Sequence, residues 1–108
     1  MAPKQPISAR ELLGEVAPKL LQLTNDVLFA DVWERPGLSK RDRSLITVAT
    51  LVALYRINEL PFHIARAREN GVSKDELAEV FTHLAFYAGW PSAMTAVTIA
   101  MKVLAESE

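Results

Sequence analysis

The sequence contains no cysteine. That absence excludes disulfides, thiolate zinc sites and every thiol-based redox cycle. Histidine is scarce, with His63 and His83 alone. They form neither a His-x-x-x-His nor a His-x-His pair. A carboxylate–imidazole set from Glu59, His63 and His83 is conceivable on residue type, but without such a pair no metal is expected. Net charge is also small, since 12 basic residues against 13 acidic ones give −1. A nucleic-acid partner needs a clustered basic excess, so none is expected. The one basic run, Lys40-Arg41-Asp42-Arg43, holds an acid and reads as a helix start. There is no low-complexity tract and no internal repeat. The longest apolar run, "LITVATLVAL" from Leu45 to Leu54, is about half the ~20 residues that span a bilayer, so no membrane partner is expected. The opening "MAPKQPISAR" has no apolar stretch of the kind a signal peptide needs. A cytoplasmic protein is the expectation.

What is present suits one domain over residues 1–108, because half the residues are hydrophobic and a real core can form. The signals are helical throughout. Ser8 followed by Glu11 has capping-box spacing and opens a helix near Ala9. Pro18 interrupts that helix or starts a second one, carried by Leu20, Leu21, Leu23, Val27 and Leu28. "ERPGLS" makes a turn, and Ser39 caps a helix from about Lys40 to Arg56. The middle of that helix is apolar on nearly every side, which predicts the central, buried helix. A short helix follows from about Leu60 to Asn70, with Pro61 in its first turn and Gly71 just past its end. Ser73 and Glu76 repeat the capping-box spacing and open a helix from about Lys74 to Ala88. Gly89 ends it, "WPS" connects, and a last helix runs from about Ser92 to Ala105. No segment alternates with period two for long enough to be a strand. The fold class is all-α, with five or six helices.

At about 100° per residue, Leu77, Val80, Phe81, Leu84 and Ala88 form one apolar face, and Phe86 points roughly opposite. A large aromatic away from the core face predicts a second buried surface, such as a subunit contact. His83 and Tyr87 share a flank one turn apart. On the short helix, Leu60, Ile64 and Ala67 make the apolar face, and Glu59 and His63 sit together at its edge. Each of these polar residues has two readings. Glu59 is either favoured by the helix dipole alone or part of an acid–base pair. His63 is either an interfacial histidine or a catalytic one. His83 follows Glu79 by four residues, so a surface helical pair also explains it. Tyr87 and Trp90 suit packing as well as a pocket wall. Arg41 and Arg43 read as a solvated helix start, although cations there oppose the dipole, which hints at an anionic partner.

Four motifs then appear in order: Arg-Pro-Gly-Leu, Arg-Ser-Leu-Ile-Thr-Val-Ala, Glu-Leu-x-x-His and His-x-Ala-x-Tyr-Ala-Gly. Together, from about Trp33 to Ala96, they resemble the carboxymuconolactone decarboxylase family. The resemblance implies a compact, orthogonal all-helical bundle shared with the alkyl hydroperoxidase D-like proteins, assembled as a trimer or hexamer. The peroxidase branch carries Cys-x-x-Cys-x-x-x-His. Here those cysteine positions fall on Arg56 and Glu59, while His63 matches the histidine. A peroxidase label attached by homology would thus lack its sulfur nucleophile.

The decarboxylase branch removes CO2 from 4-carboxymuconolactone. Such a substrate carries its own electron sink in a conjugated lactone carbonyl, so no cofactor is expected. The resemblance implies His63 as general acid or oxyanion donor, Glu59 as its orienting or proton-shuttling partner, and His83 as a second donor. Arg41 and Arg43 are candidates to meet the substrate carboxylates, with Tyr87 and Trp90 as further substrate contacts. A member that has lost catalysis and only binds a small acid is the alternative. Because the chain has no thiol, hydroperoxide turnover coupled to a dithiol reductant is expected to stay at the level of a buffer blank. Robust turnover that survives metal chelation contradicts this.

Overall fold

The computed structural model describes residues 9–106. Among them the elements are six α-helices, one π-helical segment and one 3-10 turn, with no strand. The all-α expectation holds. The expected Ser8 cap lies outside the described residues. Contacts divide the chain into two units, Met1–Gly37 and Leu38–Glu108.

The first unit contains α1 (Ala9–Val16) and α2 (Pro18–Leu23). Pro18 starts a new helix rather than bending the old one. It occupies the first position of α2, where a missing N–H costs nothing. The helix then widens into a π-helical segment, Thr24–Phe29, closed by the Ala30 N–H donating to the Asn25 carbonyl at 3.1 Å. Nothing in the leucine spacing announced this change of pitch. The Arg10 side chain hydrogen-bonds the Asn25 side-chain oxygen. A 3-10 turn, Val32–Glu34, buries Trp33, whose ring stacks on Phe29 at 6.2 Å.

The second unit is a ring of four helices: α3 (Lys40–Ala53), α4 (Leu60–Glu69), α5 (Lys74–Tyr87) and α6 (Trp90–Glu106). α3 packs on α4 and on α5, and α6 packs on the same two, which leaves α4 and α5 diagonally opposed. α3 starts as expected, with Ser39 Oγ accepting from the Asp42 N–H at 3.0 Å. It ends at Ala53, short of the expected Arg56. The N–H of Tyr55 donates to Val52 at 3.1 Å and that of Arg56 to Leu51 at 2.8 Å. This is a Schellman closure with Tyr55 left-handed, at φ 57°. Glycine is the usual residue there, and its absence hid the stop.

α3 is not buried on every side. Ser44, Val48 and Val52 face the core, while Ile46 is 54% exposed. α3 packs on α4, on α5 and less extensively on α6, and its remaining side is left free whatever its composition. Among the described residues Ser44 is the buried polar side chain, and its hydroxyl accepts from Asn70 Nδ2 at 2.9 Å. That bond ties the start of α3 to the end of α4.

The core is made by Val48 and Val52 of α3, Leu60, Ile64 and Ala67 of α4, Leu77 and Phe81 of α5, and Ala96 and Ala100 of α6. Gly71, at φ 93°, ends α4 at the expected position, with Val72 N–H donating to Ala67 at 2.9 Å. The Ser73–Glu76 capping box is present, both bonds at 3.0 Å. The other carboxylate oxygen of Glu76 pairs with Arg41 of α3. Phe86 is 76% exposed, as the wheel predicted. α6 begins at Trp90, two residues before the expected Ser92, because Pro91 in a first turn needs no N–H partner. No helix among the described residues is long and apolar enough to cross a membrane.

Ile64 is fully buried at the centre of this core. Ile64→Ala is expected to cost about 2–5 kcal/mol, the range for a buried isoleucine truncation. Urea denaturation monitored by helical circular dichroism checks the figure.

Candidate active site

Glu59 precedes the first residue of α4 as its N-cap, yet its carboxylate makes no capping bond. It is exposed. Its carbonyl accepts from the His63 N–H at 3.3 Å, which places the two side chains one helical turn apart. His63 sits one residue before fully buried Ile64, so its ring is carried to the edge of the core. It is half-buried, and Nδ1 is shut from solvent. The Phe62 ring stands edge-on to it at 5.0 Å and 89°.

Three influences set the proton affinity of His63. Burial is the largest and disfavours the imidazolium. The Arg66 cation acts in the same direction, and the Glu59 carboxylate opposes both. The balance lies below the ordinary value of 6.5. At neutral pH the ring is therefore mainly neutral. It can donate one N–H and accept a proton at the other nitrogen.

His83 and Tyr87 do come together, stacked at 4.7 Å with a 26° interplanar angle. His83 lines an open groove of about 500 Å³ between α3 and α5, with Leu45, Ile46, Ala49, Val80 and Leu84 as apolar walls and Glu79 at its edge. Glu59 and His63 are not among the residues lining that groove. Arg41 pairs with Glu76, and with Asp42 at 3.6 Å. Arg43 is half-buried on the first turn of α3, with its Nε shut from solvent. Trp90 opens α6, exposed, with its ring edge-on to Phe86 at 5.8 Å. Thus Glu59 acts on His63, His83 stacks on Tyr87, the two arginines lie at the α3 start, and Trp90 meets Phe86. Two residues were missed, Arg66 and Phe62. The signal for Arg66 was available, because it stands three residues after His63 on one helix face.

A family model for the carboxymuconolactone decarboxylase family matches residues 18–102. The chain belongs to that family. Every candidate named from the sequence falls inside the matched span. The chain is 45% identical over 75 residues to a 4-carboxymuconolactone decarboxylase of Acinetobacter baylyi, covering 69% of this chain and 56% of that protein. It is 34% identical over 83 residues to nitrosuccinic acid decarboxylase npaB of Metarhizium robertsii, covering 77% of this chain and 58% of that protein. The chain thus spans less than two thirds of the length of these relatives.

The lowered affinity of His63 has a consequence for stability. Above 6.5 the ring is neutral in both folded and unfolded chains, and its protonation costs nothing. As pH falls from 6.5 toward the lower folded value, the unfolded chain takes up the proton first, so stability declines. His63→Gln is expected to lose less thermal stability than the parent between pH 7.5 and 5.5. Melting curves of both proteins at the two pH values measure the difference.

Proposed function

We propose that this family member is a carboxy-lyase acting on a small carboxylated lactone of the 4-carboxymuconolactone type, without a cofactor. The reading is supported most by one observation, the half-buried His63 held between Glu59 and Arg66. Two relatives whose names are those of small-acid decarboxylases support the reaction class.

In this mechanism the bond between the ring carbon and the carboxylate breaks and CO2 leaves. The electron pair moves into the conjugated lactone carbonyl, forming an enolate. The neutral His63 ring donates its N–H to that oxygen, where charge develops. In a partly dry site such a bond is strengthened in the transition state. A proton must then reach carbon, and exposed Glu59, in contact with solvent, relays it. Arg66 meets a substrate carboxylate, because its cation stands close enough to His63 to act on the ring. His83, with Tyr87 stacked on it, serves the groove between α3 and α5. The same reading includes self-association to a trimer or hexamer, supported by exposed Phe86 and Ile46, and a cytoplasmic place in the breakdown of aromatic compounds.

His63→Ala is expected to lower turnover of the carboxylated lactone by roughly 10²–10³-fold, the range for losing a donor to a developing oxyanion. Glu59→Gln lowers it too, with melting temperature and assembly mass retained. A purely structural pair instead loses thermal stability while the rate per folded molecule stands. Rates and melting curves on the same samples separate the two, and unchanged rates in both variants end the catalytic assignment.

A further inference from the structure

Four side chains share one flank of α4. At about 100° per residue, Glu59, Phe62, His63 and Arg66 fall within roughly 100° of arc, away from the buried stripe of Leu60, Ile64 and Ala67. Glu59 lies three and four residues before Phe62 and His63. Arg66 lies four and three residues after them, so each of these pairs is within reach. Glu59 and Arg66 are two turns apart, about 10 Å of rise. The two rings therefore stand between a carboxylate and a guanidinium.

Phe62 is the odd member of the four. It is apolar, yet 56% exposed. Its neighbours one turn along the chain are Asn58, Glu59, Ala65 and Arg66, and none is a large apolar side chain. It meets the His63 ring instead, at 5.0 Å and 89°. Perpendicular rings touch edge to face, so the histidine covers at most one face of the phenyl and the exposure leaves the other open. Nδ1 of His63 is shut from solvent, which leaves Nε2 as the nitrogen a ligand can reach. A flat ring laid on the open phenyl face stands perpendicular to the imidazole. The two planes share a line. An N–H along that line meets a carbonyl oxygen in the plane of the flat ring, where its lone pairs lie. Arg66, close enough to act on the imidazole, supplies the cation for a carboxylate carried by that ring.

We propose that Phe62 is a specificity-determining residue of this site: its open face stacks the planar, conjugated ring of the substrate and so selects it over saturated acids of the same charge. The donor at His63 and the cation at Arg66 recognise any small acid that carries a carbonyl. The phenyl distinguishes a flat ring, which stacks, from a puckered one, which loses the contact. This inference rests on the reading that the substrate binds at His63, and not on the fate of its carboxylate.

Two probes of similar size and equal charge isolate the stack. 2-Furoate is a flat, conjugated ring bearing a carboxylate, and tetrahydrofuran-2-carboxylate is its saturated counterpart. Binding of each to the full chain is read from the His63 ring-proton shifts in NMR titrations, with His83→Gln assigning the two histidine signals. 2-Furoate is expected to bind roughly three- to tenfold tighter, the range of one aromatic stacking contact. Phe62→Leu keeps an apolar side chain without a flat face. It is expected to bring the two probes to equal affinity, with helical circular dichroism and assembly mass retained. Phe62→Tyr is expected to keep the preference. Equal binding of the two probes by the parent overturns the proposal, and so does an absence of His63 shifts with both. A preference that survives in Phe62→Leu overturns it as well. A parent that prefers 2-furoate yet leaves the carboxylated lactone unconverted overturns the decarboxylase reading and supports this one.

Discussion

Burial of the Leu60–Ile64–Ala67 stripe holds α4 in the four-helix ring, and the site follows from it. A helix turns each successive residue by about 100°. With Ile64 fully buried, His63 is carried to the rim and no further. There it is desolvated on one side and open on the other. Glu59, a turn earlier and just ahead of the helix, is left in solvent. Arg66, on the same flank, brings a positive charge to the ring. The histidine's electrostatics therefore derive from the packing of its apolar neighbour.

Much of this was legible in the residues. Ser39, Ser73 with Glu76, Pro61 and Gly71 mark helix ends through local bonds that short stretches specify, and all four behave as expected. Local signals failed where the deciding interaction lay elsewhere. The end of α3 was hidden because Tyr55 takes a backbone state that advertises itself only as glycine. The burial of α3 was overestimated because composition counts apolar residues without knowing how many neighbours the helix has. The pairing of Arg41 with Glu76 depends on α3 and α5 being adjacent, which no spacing reveals. Placing Glu59 beside His63 needed only a single helical turn, so that pair was accessible. His83's position across the ring from α4 needed the topology.

Family membership and reaction rest on different supports. The match over residues 18–102 speaks to the whole helical frame. The proposed reaction depends on a few side chains at one helix start, and similar frames carry different chemistries. The cysteine positions of the related peroxidase centre hold Arg56 and Glu59 here. A carboxylate thus stands where a thiol is used for another purpose.

Tyr55 also acts through the unfolded chain. Its left-handed backbone costs the folded state roughly 1–2 kcal/mol relative to an ordinary conformation. Glycine would relieve that strain, but it would also give the disordered chain more conformations to lose at the junction leading to Glu59. With a tyrosine the reversal has fewer alternative shapes. The turn between α3 and α4 thus loses less conformational freedom on folding than a glycine there would.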